Sequence, residues 1–376
     1  MPQEIRFGVI GGGLMGREFA SAAARWCHLL DLDFQPVIVA VADLNPKALD
    51  WFRKSIPSVK TAVADYRDLL NEKSVDAVYA AVPHNLHEQV YIDVLRAGKH
   101  LMAEKPFGID QPACIKILAE AAKSARLLVR CSSEFPFFPG AQAIFRLHQQ
   151  GFFGPIIEVR AGLLHSSDLD PNKPINWKRQ VATNGRYGCM GDLGLHVLHL
   201  PLRMGFQPTD VRALLSNLVP QRPDPSTGRL VACDTFDNAL LSCHSQQLPM
   251  TLETKRIAPG ETDTWYLEID GMSGSARFST KNPKTLWTMP YQTGGKQAWQ
   301  AEDLGYDSVF PAITGKVFEF GFPDAVQQMW AAFCEELATG QSRFPCATPE
   351  EAAFTHALFT AALASHDSNA VVEVAR

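Results

Sequence analysis

The chain has no excess of basic residues and no long apolar run. Its 376 residues include 35 Lys and Arg against 40 Asp and Glu, which gives a net charge of −5. Nucleic acids and anionic membrane surfaces bind clustered basic side chains, so neither is expected as a partner. No apolar stretch approaches the length of a membrane span, and the first residues enter a strand-like run without an apolar signal core. We therefore expect a cytoplasmic protein.

The eight cysteines also lack the C-x-x-C spacing of zinc ribbons and redox pairs. They are predicted to be buried free thiols, which suits a reducing compartment. Hydrophobic residues make up 46% of the chain and charged residues 20%, as in an ordinary globular protein. A chain of this length exceeds the usual size of one hydrophobic core, so two domains are expected.

Two patterns of predicted secondary structure follow one another. From Ile5 to about residue 130, short β-branched strands alternate with helical segments, which predicts a doubly wound parallel sheet. After Pro136, strands follow without a helix between each pair, which predicts an α+β domain on a mostly antiparallel sheet. That second part is expected to include a helix at residues 323–338. Residues 281–321 are expected to form a long surface excursion, over the active site or at a subunit contact.

A glycine-rich loop joins the first strand to the first helix. Gly11 to Gly16 form G-x-G-x-x-G between an apolar strand and a helical pattern, the context in which this motif binds a dinucleotide. Gly11 permits the tight turn, Gly13 lets the pyrophosphate approach the backbone, and Gly16 allows the helix to pack on the strand. Leu14 and Met15 lie at the helix N-terminus, whose N–H groups suit an anion. A plain glycine turn is the alternative.

An acidic residue, Asp43, ends the second strand. A carboxylate here accepts hydrogen bonds from the adenosine ribose and repels a 2′-phosphate, so NAD is predicted in preference to NADP. The competing interpretation is that Asp43 or Asn45 only caps the helix that enters at Pro46. Both functions are compatible if Asn45 caps and Asp43 binds ribose. Together with the glycine loop, this predicts a Rossmann NAD(P)-binding domain over residues 1–132, followed by the second domain over 133–376.

Further motifs carry a resemblance to a known family. They are Val82-Pro83-His84-Asn85-Leu86-His87, Glu104-Lys105-Pro106, Gly191-Asp192-Leu193-Gly194-Leu195-His196 and Asp270-Gly271-Met272-Ser273-Gly274-Ser275. With these motifs the sequence resembles the glucose-fructose oxidoreductase, inositol dehydrogenase and rhizopine-catabolism (Gfo/Idh/MocA) family over nearly its whole length. The resemblance implies a Rossmann domain followed by a large open-faced sheet that often forms oligomer interfaces. Residues 133–376 are therefore expected to form a substrate-binding and oligomerisation domain, in a homodimer or homotetramer. It also implies oxidation or reduction of a hydroxyl on a sugar, cyclitol or related polyol.

The resemblance also implies roles for particular residues. Glu104 resembles the residue that contacts the cofactor ribose, and Pro83, His84 and His87 lie on the turn beside the cofactor, where one histidine could instead cap a helix. The segment with Trp177 and Lys178 resembles one that lines the substrate pocket, although a core tryptophan is equally plausible. The chain departs from the family in having Val82-Pro83-His84 for Thr-Pro-Asn, and in having His199 where Asp is common.

Three residues are predicted to perform the chemistry. Lys105 follows a strand at the ligand-binding edge of the sheet, where its ammonium can orient a hydroxyl and stabilise an alkoxide-like oxygen. A surface lysine before a turn proline is the alternative. Asp192 and His196 share one helix face, so His196 is predicted as general base, with Asp192 holding its tautomer or binding a neighbouring hydroxyl. Gly194 is expected to keep that face open.

His199 adds a third group near Asp192 and His196 and is a further candidate for contact with the substrate. No metal is expected, because the spacing is not a zinc arrangement and hydride transfer needs none. The leading hypothesis is an NAD-dependent dehydrogenase acting on a secondary hydroxyl. One alternative is an enzyme of the same fold that retains its NAD and processes glycosides. Another is a non-catalytic dinucleotide sensor, which the intact Lys105, Asp192 and His196 disfavour.

Overall fold

The computed structural model describes residues 2–305, 307–318 and 320–375. The chain forms two compact units: Met1–Phe137 with Ser308–Ala352, and Phe138–Asp307 with Ala353–Arg376. The first crossing lies close to the predicted boundary after residue 132. Residues 308–352, which were expected in the second domain, form part of the first unit instead. The functions assigned to the two predicted domains stay predictions.

The first unit is built on a six-stranded parallel sheet in the order β3-β2-β1-β4-β5-β6. Its strands are β1 (Gln3–Ile10), β2 (Phe34–Ala42), β3 (Thr61–Val63), β4 (Ala77–Ala80), β5 (His100–Ala103) and β6 (Val129–Cys131). Its helices are α1 (Leu14–Ala24), α2 (Pro46–Ser55), α3 (Tyr66–Leu70), α4 (His87–Arg96), α5 (Gln111–Lys123) and, numbered in chain order, α9 (Phe322–Thr339). This strand order confirms the predicted Rossmann fold, in which the direction of winding reverses between β1 and β4.

Helix α9 belongs to the first unit because it completes that unit's aromatic core. The ring of Trp330 stacks on Phe19 of α1, with centroids 3.6 Å apart. It also makes edge contacts with Phe7 of β1 and Tyr79 of β4 at 5.5 and 4.9 Å. The helix was predicted at nearly these residues, but its placement in the second domain was wrong, since helical periodicity does not identify the sheet against which a helix packs.

The second unit is built on a nine-stranded sheet in the order β16-β15-β14-β13-β7-β12-β11-β8-β17. The pair of β7 and β12 is parallel, and the other neighbouring pairs are antiparallel. The strands are β7 (Ile156–Leu164), β8 (Asp210–Ser216), β11 (Asn238–Ser245), β12 (Leu248–Lys255), β13 (Thr264–Gly271), β14 (Gly274–Ser279), β15 (Thr285–Pro290), β16 (Gln300–Asp303) and β17 (Val372–Glu373), with β9 (Gln221–Pro223) and β10 (Leu230–Ala232) in a separate hairpin. The mostly antiparallel sheet confirms the predicted α+β architecture.

The remaining helices are α6 (Pro139–Gln149), α7 (Val181–Asn184), α8 (Cys189–Arg203) and α10 (Pro349–Ser368), which crosses the boundary between the units at residue 353. Side chains on the strands alternate between a buried face and a half-exposed one, as Val159 and Arg160 do on β7. The expected excursion at 281–321 is partly regular, since β15 and β16 extend the sheet at one edge. No helix in the described ranges has both the length and the apolar character needed to cross a membrane.

Candidate active site

The glycine loop lies between β1 and α1 at the point where the winding of the sheet reverses. Gly11 has φ +98°, and a Cβ there would lie 2.2 Å from the carbonyl oxygen of Ala81, so the turn requires glycine. A Cβ on Gly16 would lie 2.2 Å from the oxygen of Gly11, whereas one on Gly13 would meet nothing within 4 Å. The loop thus combines a tight turn, a close helix contact and an uncovered backbone at Gly13, which fits a dinucleotide pyrophosphate.

Asp43 is half-buried beside this loop. Its Oδ2 accepts a hydrogen bond from the N–H of Gly12 at 2.7 Å, and its Oδ1 accepts one from the N–H of Asn45 at 2.7 Å. Asn45 in turn caps α2, because its side chain accepts from the N–H of Lys47. The cap is therefore supplied by Asn45, and the carboxylate of Asp43 is fixed next to the glycine loop with lone pairs remaining on both oxygens.

The segment of Glu104 and Lys105 leaves the carboxyl end of β5, on the same sheet edge as the glycine loop. The hydroxyl of Tyr79 donates to Glu104 Oε1 at 2.6 Å. The hydroxyl of Tyr91 donates to the Glu104 carbonyl oxygen at 2.8 Å and accepts from the Glu104 N–H at 2.9 Å. Glu104 is buried, whereas Lys105 is the only residue from 101 to 108 that is not buried. The backbone is thus fixed and the Lys105 side chain reaches the surface of the unit.

Both predicted histidines of the turn after β4 are buried. His87 has no exposed surface, and its Nδ1 and Nε2 lie 2.7 Å from the carbonyl oxygen of Pro106 and 2.9 Å from that of Val82. Burial lowers its pKa to about 4, so the ring is neutral at pH 7. These contacts support the loop, and they do not support the direct cofactor contact predicted for His87. His84 packs beside it with ring centroids 5.3 Å apart, and Pro83 is half-buried at the same turn.

In the second unit, α8 carries Asp192 and His196. The helix begins after Gly188, whose φ of +57° suits glycine and where a Cβ would lie 2.5 Å from the carbonyl oxygen of Phe236. The indole N–H of Trp265 donates to the backbone oxygen of His196 at 2.9 Å and ties α8 to β13. Asp192 and His196 are four residues apart on this helix, and both are buried.

Two cations bind the carboxylate of Asp192. The ammonium of Lys178 lies 2.8 Å from Oδ1 and 3.0 Å from Oδ2. The guanidinium of Arg256 forms an ion pair with Asp192 and also binds Asp168, with Nε 2.9 Å from Oδ2. Burial opposes ionisation of Asp168, but the ion pairs with Arg256 and Lys173 outweigh it and lower the pKa. The Asp192 carboxylate thereby orients the ammonium of Lys178.

The other residues predicted near this face have different surroundings. Trp177 is half-buried, and the ammonium of Lys178 lies 5.5 Å from the centre of its ring. His199 is fully buried in α8. Gly194 does not keep the face open as expected, because a Cβ there would lie 2.2 Å from the ring of Phe359, so this glycine permits close packing instead. Among the described residues, no group of three His, Cys, Asp or Glu side chains could hold a metal ion.

Sequence reasoning missed the residues that hold the predicted ones. Tyr79 and Tyr91 support Glu104, and Asp168 connects to Asp192 through Arg256. A usable signal existed for Tyr91, which lies four residues after His87 and therefore on the same face of α4. No such signal identified Asp168, because it lies in a loop 24 residues before Asp192.

The strand order and glycine loop define the first unit as an NAD-binding Rossmann unit. A family model described as "Oxidoreductase family, NAD-binding Rossmann fold" matches residues 5–132, and the model of the GFO/IDH/MocA C-terminal domain matches residues 141–277. The chain belongs to the Gfo/Idh/MocA family of oxidoreductases. The resemblance inferred from the motifs is thereby confirmed.

Individual relatives agree with this assignment. The levoglucosan dehydrogenase of Pseudarthrobacter phenanthrenivorans is 28% identical over 335 residues, which cover 81% of this chain and 85% of that protein. Mouse trans-1,2-dihydrobenzene-1,2-diol dehydrogenase is 27% identical over 157 residues, 42% of this chain and 45% of that protein. A structure of levoglucosan dehydrogenase in complex with NADH has a TM-score of 0.89 at 22% identity and covers 100% of both chains. An inositol dehydrogenase homologue from Azotobacter vinelandii, complexed with NAD+, has a TM-score of 0.81 at 18% identity, covering 99% of this chain and 97% of its own. These structures share the fold.

Proposed function

We propose that this protein is an NAD-dependent dehydrogenase that acts on a secondary hydroxyl of a sugar, cyclitol or related polyol. The observation that carries the proposal is the fixed Glu104-Lys105 segment, which lies on the same sheet edge as the glycine loop. The levoglucosan dehydrogenase that is 28% identical over 335 residues supports a carbohydrate-like substrate. When bound, the nicotinamide supplies the hydride acceptor.

The proposed cofactor-binding residues are those of the first unit. The backbone at Gly13, Leu14 and Met15 would bind the pyrophosphate, since these residues lie at the N-terminus of α1. Asp43 would accept hydrogen bonds from the ribose of the adenosine and favour NAD over NADP. Glu104 would contact the other ribose.

The proposed catalytic residues are Lys105, His196 and Asp192. The ammonium of Lys105 orients the substrate hydroxyl and stabilises the negative charge that develops on its oxygen. The imidazole of His196 takes the hydroxyl proton during oxidation and returns it during reduction. Asp192 keeps the ammonium of Lys178 in place, so that Lys178 and Trp177 are proposed to bind neighbouring hydroxyls of the substrate.

Absorbance of reduced nicotinamide tests the reaction directly. Purified protein is mixed with NAD or NADP and a panel of cyclitols, aldoses, anhydrosugars and glycosides. We expect reduction of NAD with at least one polyol. If calorimetry shows NAD binding but no compound of the panel causes reduction of NAD or NADP, the proposal fails. An enzyme that retains its NAD, or a dinucleotide sensor, then becomes the better explanation.

A lysine pair tests the assignment of Lys105. Lys105→Ala should bind NAD about as well as the wild type but lose about 100-fold or more in kcat, because the charge it removes acts mainly in the transition state. Lys116→Ala, which removes an exposed lysine paired with Glu88, is the control and should keep full activity. Equal activity of the two variants would remove Lys105 from the mechanism.

We also propose a homodimer or homotetramer formed through the half-exposed face of the nine-stranded sheet, and a cytoplasmic location. The face carries Arg160, which pairs with Glu158, Glu268 and Asp270 at 2.8–3.0 Å. All eight cysteines are free thiols, which supports a reducing compartment. Light scattering with a charge-reversed Arg160→Glu variant tests the assembly; a monomeric wild type would refute it.

A further inference from the structure

Two side chains of α4 hold the backbone on either side of Lys105. His87 and Tyr91 are four residues apart, and their rings stack with centroids 4.8 Å apart. Tyr91 makes two hydrogen bonds with the main chain of Glu104, at 2.8 and 2.9 Å. His87 Nδ1 lies 2.7 Å from the carbonyl oxygen of Pro106. The residues directly before and after Lys105 are therefore both tied to one helix face.

The same pair also connects this segment to the end of β4. His87 Nε2 lies 2.9 Å from the carbonyl oxygen of Val82. The neutral ring carries one N–H, which it donates to one of the two carbonyl oxygens at a time. Tyr91 is fully buried, and Phe107 packs against its ring at 5.8 Å. The backbone at residues 104–106 is thus fixed from one direction by hydrogen bonds that solvent does not reach.

Such support matters for a lysine in particular. Its ammonium sits at the end of a flexible four-carbon chain, so its position depends on how firmly the backbone is held. The charge of Lys105 acts on His87, whose pKa it helps to lower after the larger effect of burial.

We propose that His87 and Tyr91 are positioning residues that fix the direction in which Lys105 presents its ammonium. The inference rests on the proposed function for its catalytic consequence, because Lys105 is the group whose action would change. It assigns neither residue a contact with cofactor or substrate. Their effect on turnover should then pass through Lys105, whereas an effect through Glu104, the proposed ribose contact, would appear as weaker NAD binding.

A double-mutant cycle tests this dependence. Tyr91→Phe keeps the ring and removes the hydroxyl, and we expect kcat to fall about 3–10-fold with KM nearly unchanged. In a Lys105→Ala background the same substitution should cause no further loss. Tyr66→Phe is the control, because it removes a hydroxyl that donates to Asp93 instead. An equal loss from Tyr91→Phe in both backgrounds would mean a structural role only and would overturn the inference.

Chemical labelling supplies a measurement that needs no turnover. The intact protein is labelled with acetic anhydride, and mass spectrometry of its peptides compares the rate of modification at the Lys105 amine with the rate at exposed Lys116. Tyr91→Phe should change this ratio about threefold or more, and Tyr66→Phe should not. If Tyr91→Phe does not fold, His87→Gln is used with the same expectation. An unchanged ratio overturns the inference even in an active enzyme, and a changed ratio in a protein without dehydrogenase activity sustains it while the proposed function fails.

Discussion

The replacement Arg256→Met should destabilise the second unit severely. Arg256 binds two buried carboxylates, those of Asp168 and Asp192. Its side chain is 8% exposed and those of the two acids are 0% and 2% exposed. Methionine matches the length of the arginine stem but has no charge, so each carboxylate loses one cationic partner, while Lys173 still pairs with Asp168 and Lys178 with Asp192.

The magnitude follows from the burial of these groups. Removing one member of a buried ion pair costs about 3–5 kcal/mol, because it leaves charge in a poorly solvated place. For a unit of this size about 2–4 °C of thermal midpoint corresponds to each kcal/mol, so we expect a decrease of roughly 6–20 °C. Arg6→Met is the control. The side chain of Arg6 makes two hydrogen bonds to Asp76, at 2.6 and 2.9 Å, but both side chains are more than a third exposed, and the decrease should not exceed about 4 °C.

Thermal unfolding followed by circular dichroism compares the two variants, and it should be repeated between pH 7 and pH 4. Arg256 lowers the pKa of Asp168 against the effect of burial, so in Arg256→Met this carboxyl takes up a proton at a higher pH than in the wild type. The difference in thermal midpoint between the variant and the wild type should therefore become smaller as the pH falls. Equal decreases for Arg256→Met and Arg6→Met, or a deficit that does not depend on pH, would refute the reasoning from buried charge.

Three further results are expected. Asp43→Ala should weaken NAD binding more than NADP binding in calorimetry, and an equal loss would show that the carboxylate only fixes the turn. Gly188→Ala should lower the free energy of unfolding in denaturant by about 2–5 kcal/mol, since it combines a positive φ with a Cβ 2.5 Å from a backbone oxygen. Gly228 has φ +70° and open space around the added Cβ, so Gly228→Ala should lower it by only about 1–2 kcal/mol. Because burial lowers the pKa of His87 from 6.5 to about 4, the unfolded chain binds a proton in that range that the folded chain does not. Stability should therefore fall as the pH falls from 6.5 to 4, and this fall should be shallower in His87→Gln; identical profiles would contradict the assignment.

The fold could be predicted from local patterns because each of them has a local cause. Alternation of strands and helices identified the parallel sheet, and the glycine loop required the turn that Gly11 makes with φ +98°. The unit to which α9 belongs could not be predicted in this way. Its contact between Trp330 and Phe19 joins residues more than 300 positions apart, and no periodicity in the sequence records which sheet a helix covers.

For the candidate site, too, local spacing could be predicted and long-range partners could not. Asp192 and His196 share a helix face, which their spacing alone indicates. The partners of Asp192 could not be found, because Lys178 and Arg256 approach it from a different loop and the end of a different strand. For His87 the residue type suggested a functional contact, whereas its two backbone carbonyl partners make it a support for the loop.

The position of α9 in the chain has a consequence for synthesis. The strands of the parallel sheet are complete at Cys131, but the helix that covers Phe7 and Phe19 ends at Thr339. Roughly 200 residues must be translated in between, which takes about 10–40 s at a synthesis rate of about 5–20 residues per second. During this interval the nascent sheet exposes the aromatic rings that Trp330 later covers, so the emerging chain presents a site for chaperones before it can close its first core.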